Sequence, residues 1–208
     1  MDNTPIFIVG SPRSGTTLLR LALNSHPRIG IPTETEYFPA VYERFSERRG
    51  RWEEAVEFFV AYCERRFLPP LDFTGERAAL LALKDPDYER LLSLPLASWA
   101  AAQGKARWGE KTPFHIFYAE PIMRLFPAAK LLVMVRDPRA AVASMNRFGA
   151  IGSGTALNAR LWRDVYTDGI AAVEHFVPSG QALTVRYESL IEDPEGTLRG
   201  ACSFLGEA

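Results

Sequence analysis

The segment IFIVGSPRSGTTLL, residues 6–19, constrains the fold of this chain more than any other. Ile6, Phe7, Ile8 and Val9 read as a buried strand that ends at Gly10; a loop of small residues follows, and an apolar helical pattern begins at Thr16. Strand, glycine-bounded loop and helix in that order aim backbone N–H groups and a helix N-terminus at an anion. The spacing Gly10-x-x-x-x-Gly15 is that of a P-loop, but Thr16 follows where a nucleoside triphosphatase carries lysine. The fixed cation of this loop is Arg13. The chain is therefore expected to hold a phosphate-like group by means other than those of an ordinary ATPase or GTPase.

Further strand signals lie at 130–135 (KLLVMV) and 181–186 (QALTVR), with a weaker one at 105–108, before Gly109. Helical patterns cover 16–25, 52–66, 87–102, 117–125, 138–147, 156–176 and 194–205, with Pro138 and Pro194 suited to first helical turns. Strands separated by helices predict an α/β fold with a mainly parallel central sheet flanked by helices. The stretch 37–104 carries helical patterns and no clear strand, and is read as a helical insertion after the first strand. The whole of 1–208 is read as one domain, long enough to bury a substantial core. In 52–66, Trp52, Val56, Phe59 and Cys63 share a face. Trp52, Phe58, Phe59, Tyr62 and Phe67 are assigned to core ahead of pocket, as aromatics generally are.

With 24 basic and 25 acidic residues the formal net charge is −1, so no global field draws the chain to nucleic acid or to a membrane surface. An anion site must then be a local arrangement of arginine, lysine and backbone. No segment approaches the roughly 20 apolar residues of a membrane span. The N-terminus enters its first strand without a basic region and cleavage site, which makes a cytoplasmic protein the expectation. Cys63 and Cys202 are expected as free thiols. His26, His115 and His175 are isolated and form no zinc pattern, so no metal is expected.

Three further stretches carry chemistry. In LLVMVRDPRAAVASMNR (131–147) an apolar strand ends at Arg136, where open α/β sheets bind ligands, and Ser144 and Arg147 share a face of the helix that follows. The alternative is a strand-end ion pair of Arg136 with Asp137 and a packing role for Ser144. In RWGEKTPFH (107–115), Gly109 and Pro113 mark a loop from which Lys111 reaches a shared anion, or else a solvated loop. In TVRYESLIEDP (184–194) a strand end is followed by Tyr187 and an acidic turn, and Tyr187 alone reads as a core-edge aromatic.

Taken together and in this order, PRSGTTLLR, GEKTP, VRDPRAAVASMNR and VRYESL resemble the sulfotransferases that use 3′-phosphoadenosine 5′-phosphosulfate (PAPS), nearest the tyrosylprotein sulfotransferases and their bacterial relatives. The resemblance covers most of the chain and is weakest between residues 40 and 100. It implies that Arg13, Ser14, Gly15, Thr16 and Thr17 hold the 5′-phosphosulfate. Arg136, Ser144 and Arg147 would hold the 3′-phosphate, and Tyr187 would sit near the nucleotide. Lys111 falls where the family places a lysine on the transferring sulfuryl group, and Arg13 joins it in stabilising charge. Glu34 falls at the general base of the tyrosylprotein group, with Glu36 as its fallback. Pro32-Thr33-Glu34-Thr35 replaces the Gly-Glu-Glu-Thr run of that group, which leaves the base less determined than the cofactor residues.

The chemistry suits these residue types. Sulfuryl transfer passes through a loose transition state by analogy with phosphoryl transfer, so the protein positions reactants in line and stabilises the charge growing on the leaving phosphate. Arg13, Lys111, Thr16 and the loop amides are suited to that task. The donor is already activated and calls for no metal. A carboxylate such as Glu34 can take the acceptor's proton; His26 and His115 are competitors, His26 standing before Pro27 where it helps end the first helix. The product would be adenosine 3′,5′-bisphosphate (PAP). The acceptor is expected to be a hydroxyl on a small molecule or glycan, entering beside the 37–104 insertion. In the family, chain beyond the last helix supplies a loop over the adenine. Here that loop is missing or lies elsewhere, and a C-terminal truncation is one reading of a chain that ends at Ala208. That keeps a PAP- or PAPS-binding protein without transferase activity as one alternative. A P-loop kinase or NTPase is the other.

Overall fold

The structure, a computed structural model, describes residues 4–47, 51–149 and 154–207. Five strands, β1 (Ile6–Gly10), β2 (Ile29–Gly30), β3 (Arg107–Lys111), β4 (Lys130–Val135) and β5 (Ala182–Arg186), form one sheet in the order β2-β3-β1-β4-β5, and every neighbouring pair is parallel. β1 lies in the middle. Its register sets Ile8 beside Lys111 on one side and Gly10 beside Met134 on the other. Parallel pairing collects the carboxyl ends of β1, β3 and β4 along one edge, so the loop after Gly10, Lys111 and Arg136 meet there.

Side chains alternate between the two faces of the sheet. Phe7, Val9, Leu131 and Val133 face one core; Ile6, Ile8, Leu132 and Met134 face the other. The second core is closed by Leu19 and Leu23 of α1 (Thr16–Asn24) and by residues near the C-terminus. The first is closed by the 37–104 segment. This comprises a π-helical turn at Phe38–Tyr42, then α2 (Glu43–Phe45), α3 (Trp52–Arg66), α4 (Thr74–Leu81) and α5 (Tyr88–Ala102). Val56, Phe59 and Cys63 of α3 are fully buried, as the periodicity of 52–66 requires, and Phe67 joins them. Trp52 and Phe58 pack against the same core. The phenol of Tyr62 instead donates to the Glu34 carbonyl at 3.1 Å.

The second half continues with a 3-10 segment (Pro113–Tyr118), α6 (Ala119–Leu125) and α7 (Pro138–Phe148). The expected helix at 156–176 is α8 (Thr155–Asp164), a π turn (Val165–Gly169) and α9 (Ile170–Glu174) on one path. α10 (Tyr187–Glu192) and α11 (Pro194–Leu205) complete the chain. Asp137 and Asp193 cap α7 and α11 from just before Pro138 and Pro194, accepting from the Arg139 and Gly196 amides at 2.9 Å each. An acceptor side chain followed by proline suits a helix start, because the missing N–H there would have had no partner.

Three expectations need correction. β2 went unseen, since two residues make no pattern, and the helical insertion therefore follows β2 and not the first strand. The acidic turn after Tyr187 is the short helix α10. The weak strand at 105–108 is β3, displaced to Arg107–Lys111, and it takes in the Gly109-Glu110-Lys111 run read as a loop. Gly109 makes this possible: a Cβ there would lie 2.8 Å from Ile31 Cγ1 and 3.0 Å from the Ile6 carbonyl oxygen. The charged side chains of the strand are buried with partners, which sequence alone does not display. Arg107, fully buried at the start of β3, donates to the Thr4 and Leu205 carbonyls at 2.7 and 2.6 Å and pairs with Glu207 at 3.2 Å. It ties both ends of the described chain to the amino-terminal edge of the sheet.

No helix among the described residues is long and apolar enough to cross a membrane.

Candidate functional site

The loop after β1 turns through two left-handed residues, Arg13 (φ 65°) and Gly15 (φ 94°). Gly15 is needed twice over: a Cβ there would also stand 2.4 Å from the Tyr187 ring. Arg13 has no such exemption, and a non-glycine residue in this region is strained. From this position its guanidinium reaches across to α7, where Nε donates to Ser144 Oγ at 3.3 Å and the cation lies 3.8 Å from the centre of the Phe148 ring.

Arg136, directly after β4, closes the other side. Its Nη1 donates to the Arg13 carbonyl at 2.8 Å, and its guanidinium stacks 4.0 Å over Tyr187. Its Nε is buried and has no partner. A buried donor of this kind is costly unless something accepts from it. α1 begins at Thr16 with no side-chain cap and no acidic residue in its first turn, so its leading N–H groups are open to an anion. These features fit a multiply charged phosphate ligand.

Between them lies a cavity of about 530 Å³, lined by Arg13, Gly15, Thr16, Thr17, Arg136 and Tyr187 on one side and by Leu18, Glu34, Glu36, Pro113 and Phe114 on the other. Lys111 stands behind the second group. Its ammonium is almost wholly buried, donates to Thr17 Oγ1 at 3.2 Å and is ion-paired with Glu34. Glu36 also faces the cavity, at φ 52°. Burial, and then the negative charge of Glu34, push its carboxyl group above the usual range.

The structure thus brings Arg13, Gly15, Thr16, Thr17, Glu34, Lys111, Arg136, Ser144 and Tyr187 together, and sets two expected residues apart. Ser14 is fully buried; its hydroxyl donates to the Ser11 carbonyl, so it shapes the loop and does not line the cavity. Arg147 is exposed on α7 and does not line the cavity, while Ser144 on the same helix turns toward Arg13.

Neither histidine competitor has the geometry of a base. His115 is fully buried with its Nδ1 2.8 Å from Glu110. His26 lies past the end of α1, its Nδ1 accepting from the Arg28 amide at 3.2 Å, and does not line the cavity. Among the described residues no cluster of three or more His, Cys, Asp or Glu could hold a metal ion.

Sequence reasoning missed Phe148, Phe114 and Arg20. Arg20 donates to the Ile31 and Pro32 carbonyls at 3.2 Å each and so fixes the strand-to-loop turn before Glu34. Burial holds its guanidinium below the ordinary arginine range, against the opposing pull of Glu34. The arginine ending PRSGTTLLR was in view, but its partners lie in a turn whose path no local pattern shows.

A parallel sheet with a glycine-bounded loop after its central strand, and arginines converging at its carboxyl edge, defines an α/β protein whose site is suited to an anion. The chain belongs to the sulfotransferase family, whose model matches residues 5–208. It is 30% identical over 216 residues to protein-tyrosine sulfotransferase 2 of Gallus gallus, covering 97% of this chain and 50% of that protein. It therefore spans about half the length of the curated relatives it matches. Among solved structures it is similar to the sulfotransferase domain of the Synechococcus PCC 7002 olefin synthase, with a TM-score of 0.68, 26% identity and coverage of 99% of this chain and 75% of that one. A mouse sulfotransferase complexed with PAP shares the fold at a TM-score of 0.53 and 14% identity, covering 100% of this chain and 60% of that one.

Proposed function

We propose that this protein transfers a sulfuryl group from PAPS to an acceptor hydroxyl by in-line displacement, releasing PAP. The observation that carries this reading is the partnerless, buried Nε of Arg136, set within contact of Arg13 and Tyr187 beside the uncapped start of α1. The PAP in the mouse structure that shares this fold supports the same ligand.

Arg13, Thr16, Thr17 and the first amides of α1 would hold the 5′-phosphosulfate; Arg136 and Ser144 would hold the 3′-phosphate, with Tyr187 against the nucleotide. When bound, PAPS supplies an activated sulfuryl group whose transfer leaves negative charge on a phosphate oxygen. Lys111 and Arg13 neutralise that charge from fixed positions, which is where a preorganised cation contributes most. Lys111 is shared with Glu34 Oε1, so Glu34 takes the acceptor's proton on Oε2, the oxygen that Lys111 does not hold. Glu36, which also lines the cavity and whose carboxyl group is pushed up by burial and by Glu34, is the fallback base. The acceptor reaches Glu34 past Leu18, Pro113 and Phe114.

The test is transfer of labelled sulfuryl from PAPS to a panel of phenols, sugars and tyrosine peptides. Label in any of these arms, abolished by excess PAP, is the expected outcome. PAP binding without transfer to any acceptor would leave a nucleotide-binding protein and overturn the transferase reading.

A further inference from the structure

Four consecutive backbone amides beside the candidate base end on one buried group. Thr35 N–H donates to Glu110 Oε1 at 3.3 Å, and Glu36 N–H to Thr112 Oγ1 at 3.3 Å. Tyr37 N–H donates to Thr35 Oγ1 at 3.3 Å, and Phe38 N–H to His115 Nε2 at 3.3 Å. The groups that accept these amides themselves donate to Glu110. Thr35 Oγ1 and Thr112 Oγ1 donate to its Oε1 at 2.9 and 2.6 Å, and His115 Nδ1 donates to its Oε2 at 2.8 Å. Since Nε2 of His115 accepts from Phe38, the ring proton sits on Nδ1. Glu110, Thr112 and His115 are all fully buried.

Every neighbour of Glu110 in this network is a donor, which only a carboxylate satisfies on both oxygens. Adjacent residues of β3 thereby grip adjacent residues of the loop: Lys111 takes Glu34, and Glu110 takes Thr35. We infer that Glu110 is a positioning residue of the site, the buried anchor that sets residues 34–38 so that Glu34 and Glu36 face the cavity against Lys111. This inference rests on the transferase reading for its catalytic consequence, though not for its structural one.

Glu110→Gln tests it. The amide keeps the volume but opposes a donor to a donor on one side, so the anchor is lost without a cavity. The expected result has two parts. Hydrogen exchange of amides 35–38 accelerates selectively, and kcat for sulfuryl transfer falls on the order of a hundredfold, as misplacement of a reacting group by about 1 Å does, while PAP affinity stays within about twofold of the parent. A folded Glu110→Gln protein with unchanged exchange at 35–38, or with parental kcat, overturns the inference. Should that variant not fold, Thr112→Val removes the acceptor of the Glu36 amide and one donor to Glu110 Oε1; faster exchange at amide 36 with a lowered kcat is then expected, and unchanged exchange there overturns the inference. A parent protein that transfers nothing defeats the transferase reading, and the exchange measurement still decides the anchor.

Discussion

In the proposed reading, Arg13 does what a lysine after the second glycine does in a nucleoside triphosphatase, from a position inside the loop. The cost is a left-handed, non-glycine backbone at φ 65°. The gain is a cation that reaches Ser144 on α7 while the Arg13 carbonyl accepts from Arg136, which ties the loop to both α7 and the end of β4. Glu34 is the residue whose chemistry is most separable from binding. Glu34→Gln is expected to slow transfer about a hundredfold or more with PAP affinity nearly intact; kinetics with parental turnover would eliminate it as the base. Gly15→Ala puts a Cβ 2.4 Å from the Tyr187 ring at a φ of 94°. It should cost about 1–3 kcal/mol in a denaturant titration and disturb nucleotide binding with it.

Among elements, β3 teaches most. Its run Arg107-Trp108-Gly109-Glu110-Lys111 carries three charges and a glycine, so it gives only a weak strand signal that stops before Gly109. The charges are tolerated because each has a partner from far along the chain: Glu207 for Arg107, Thr35 for Glu110 and Glu34 for Lys111. Gly109→Ala should destabilise the fold by about 1–3 kcal/mol, because the atoms in the way include the Ile6 carbonyl, which cannot move without disturbing β1; thermal unfolding measures it. Where burial is purely apolar, as in β1, β4 and α3, local pattern was sufficient. Pattern also placed Arg13 in the loop after β1 and Arg136 at the end of β4, whereas the place of Tyr187 beside them came from the resemblance, since alone it reads as a core-edge aromatic. What stayed hidden was long-range polar pairing: the Glu110 network, Arg20 on the 31–32 carbonyls, and the turn of α7 that faces Ser144 inward and leaves Arg147 exposed.

Across the whole molecule, the two ends of the sheet divide the work. Arg107 at the amino-terminal edge holds Thr4, Leu205 and Glu207 together, and the cavity occupies the opposite edge. Arg107→Ala removes the donor to the Thr4 and Leu205 carbonyls and one of the two cations on Glu207, Arg28 remaining at 2.9 Å, and should cost about 1–3 kcal/mol in thermal unfolding, while PAP affinity of the folded fraction is unchanged. The pH dependence of stability should carry the mark of Glu110. Burial pushes its carboxyl up, but His115 beside it and the Thr112 and Thr35 hydroxyls prevail, so in the folded protein it lies below its ordinary value of 4.5. The unfolded state therefore takes up the proton first. The stabilisation from this group is present in full above its ordinary range and is lost as pH falls through the lowered folded value. The stability gap between the parent and Glu110→Gln should accordingly narrow as the medium is acidified below about 4.5; a gap that is constant with pH would contradict the assignment of a charged Glu110.

The proposed function requires guanidinium groups from the β1 loop and the end of β4 to grip one nucleotide through its two phosphate groups. Calorimetric titration of PAP into the parent, Arg13→Ala and Arg136→Ala proteins tests it most directly. The parent should bind PAP and each variant should lose about 2–4 kcal/mol of that affinity; parental affinity in folded Arg136→Ala would rule the shared grip out.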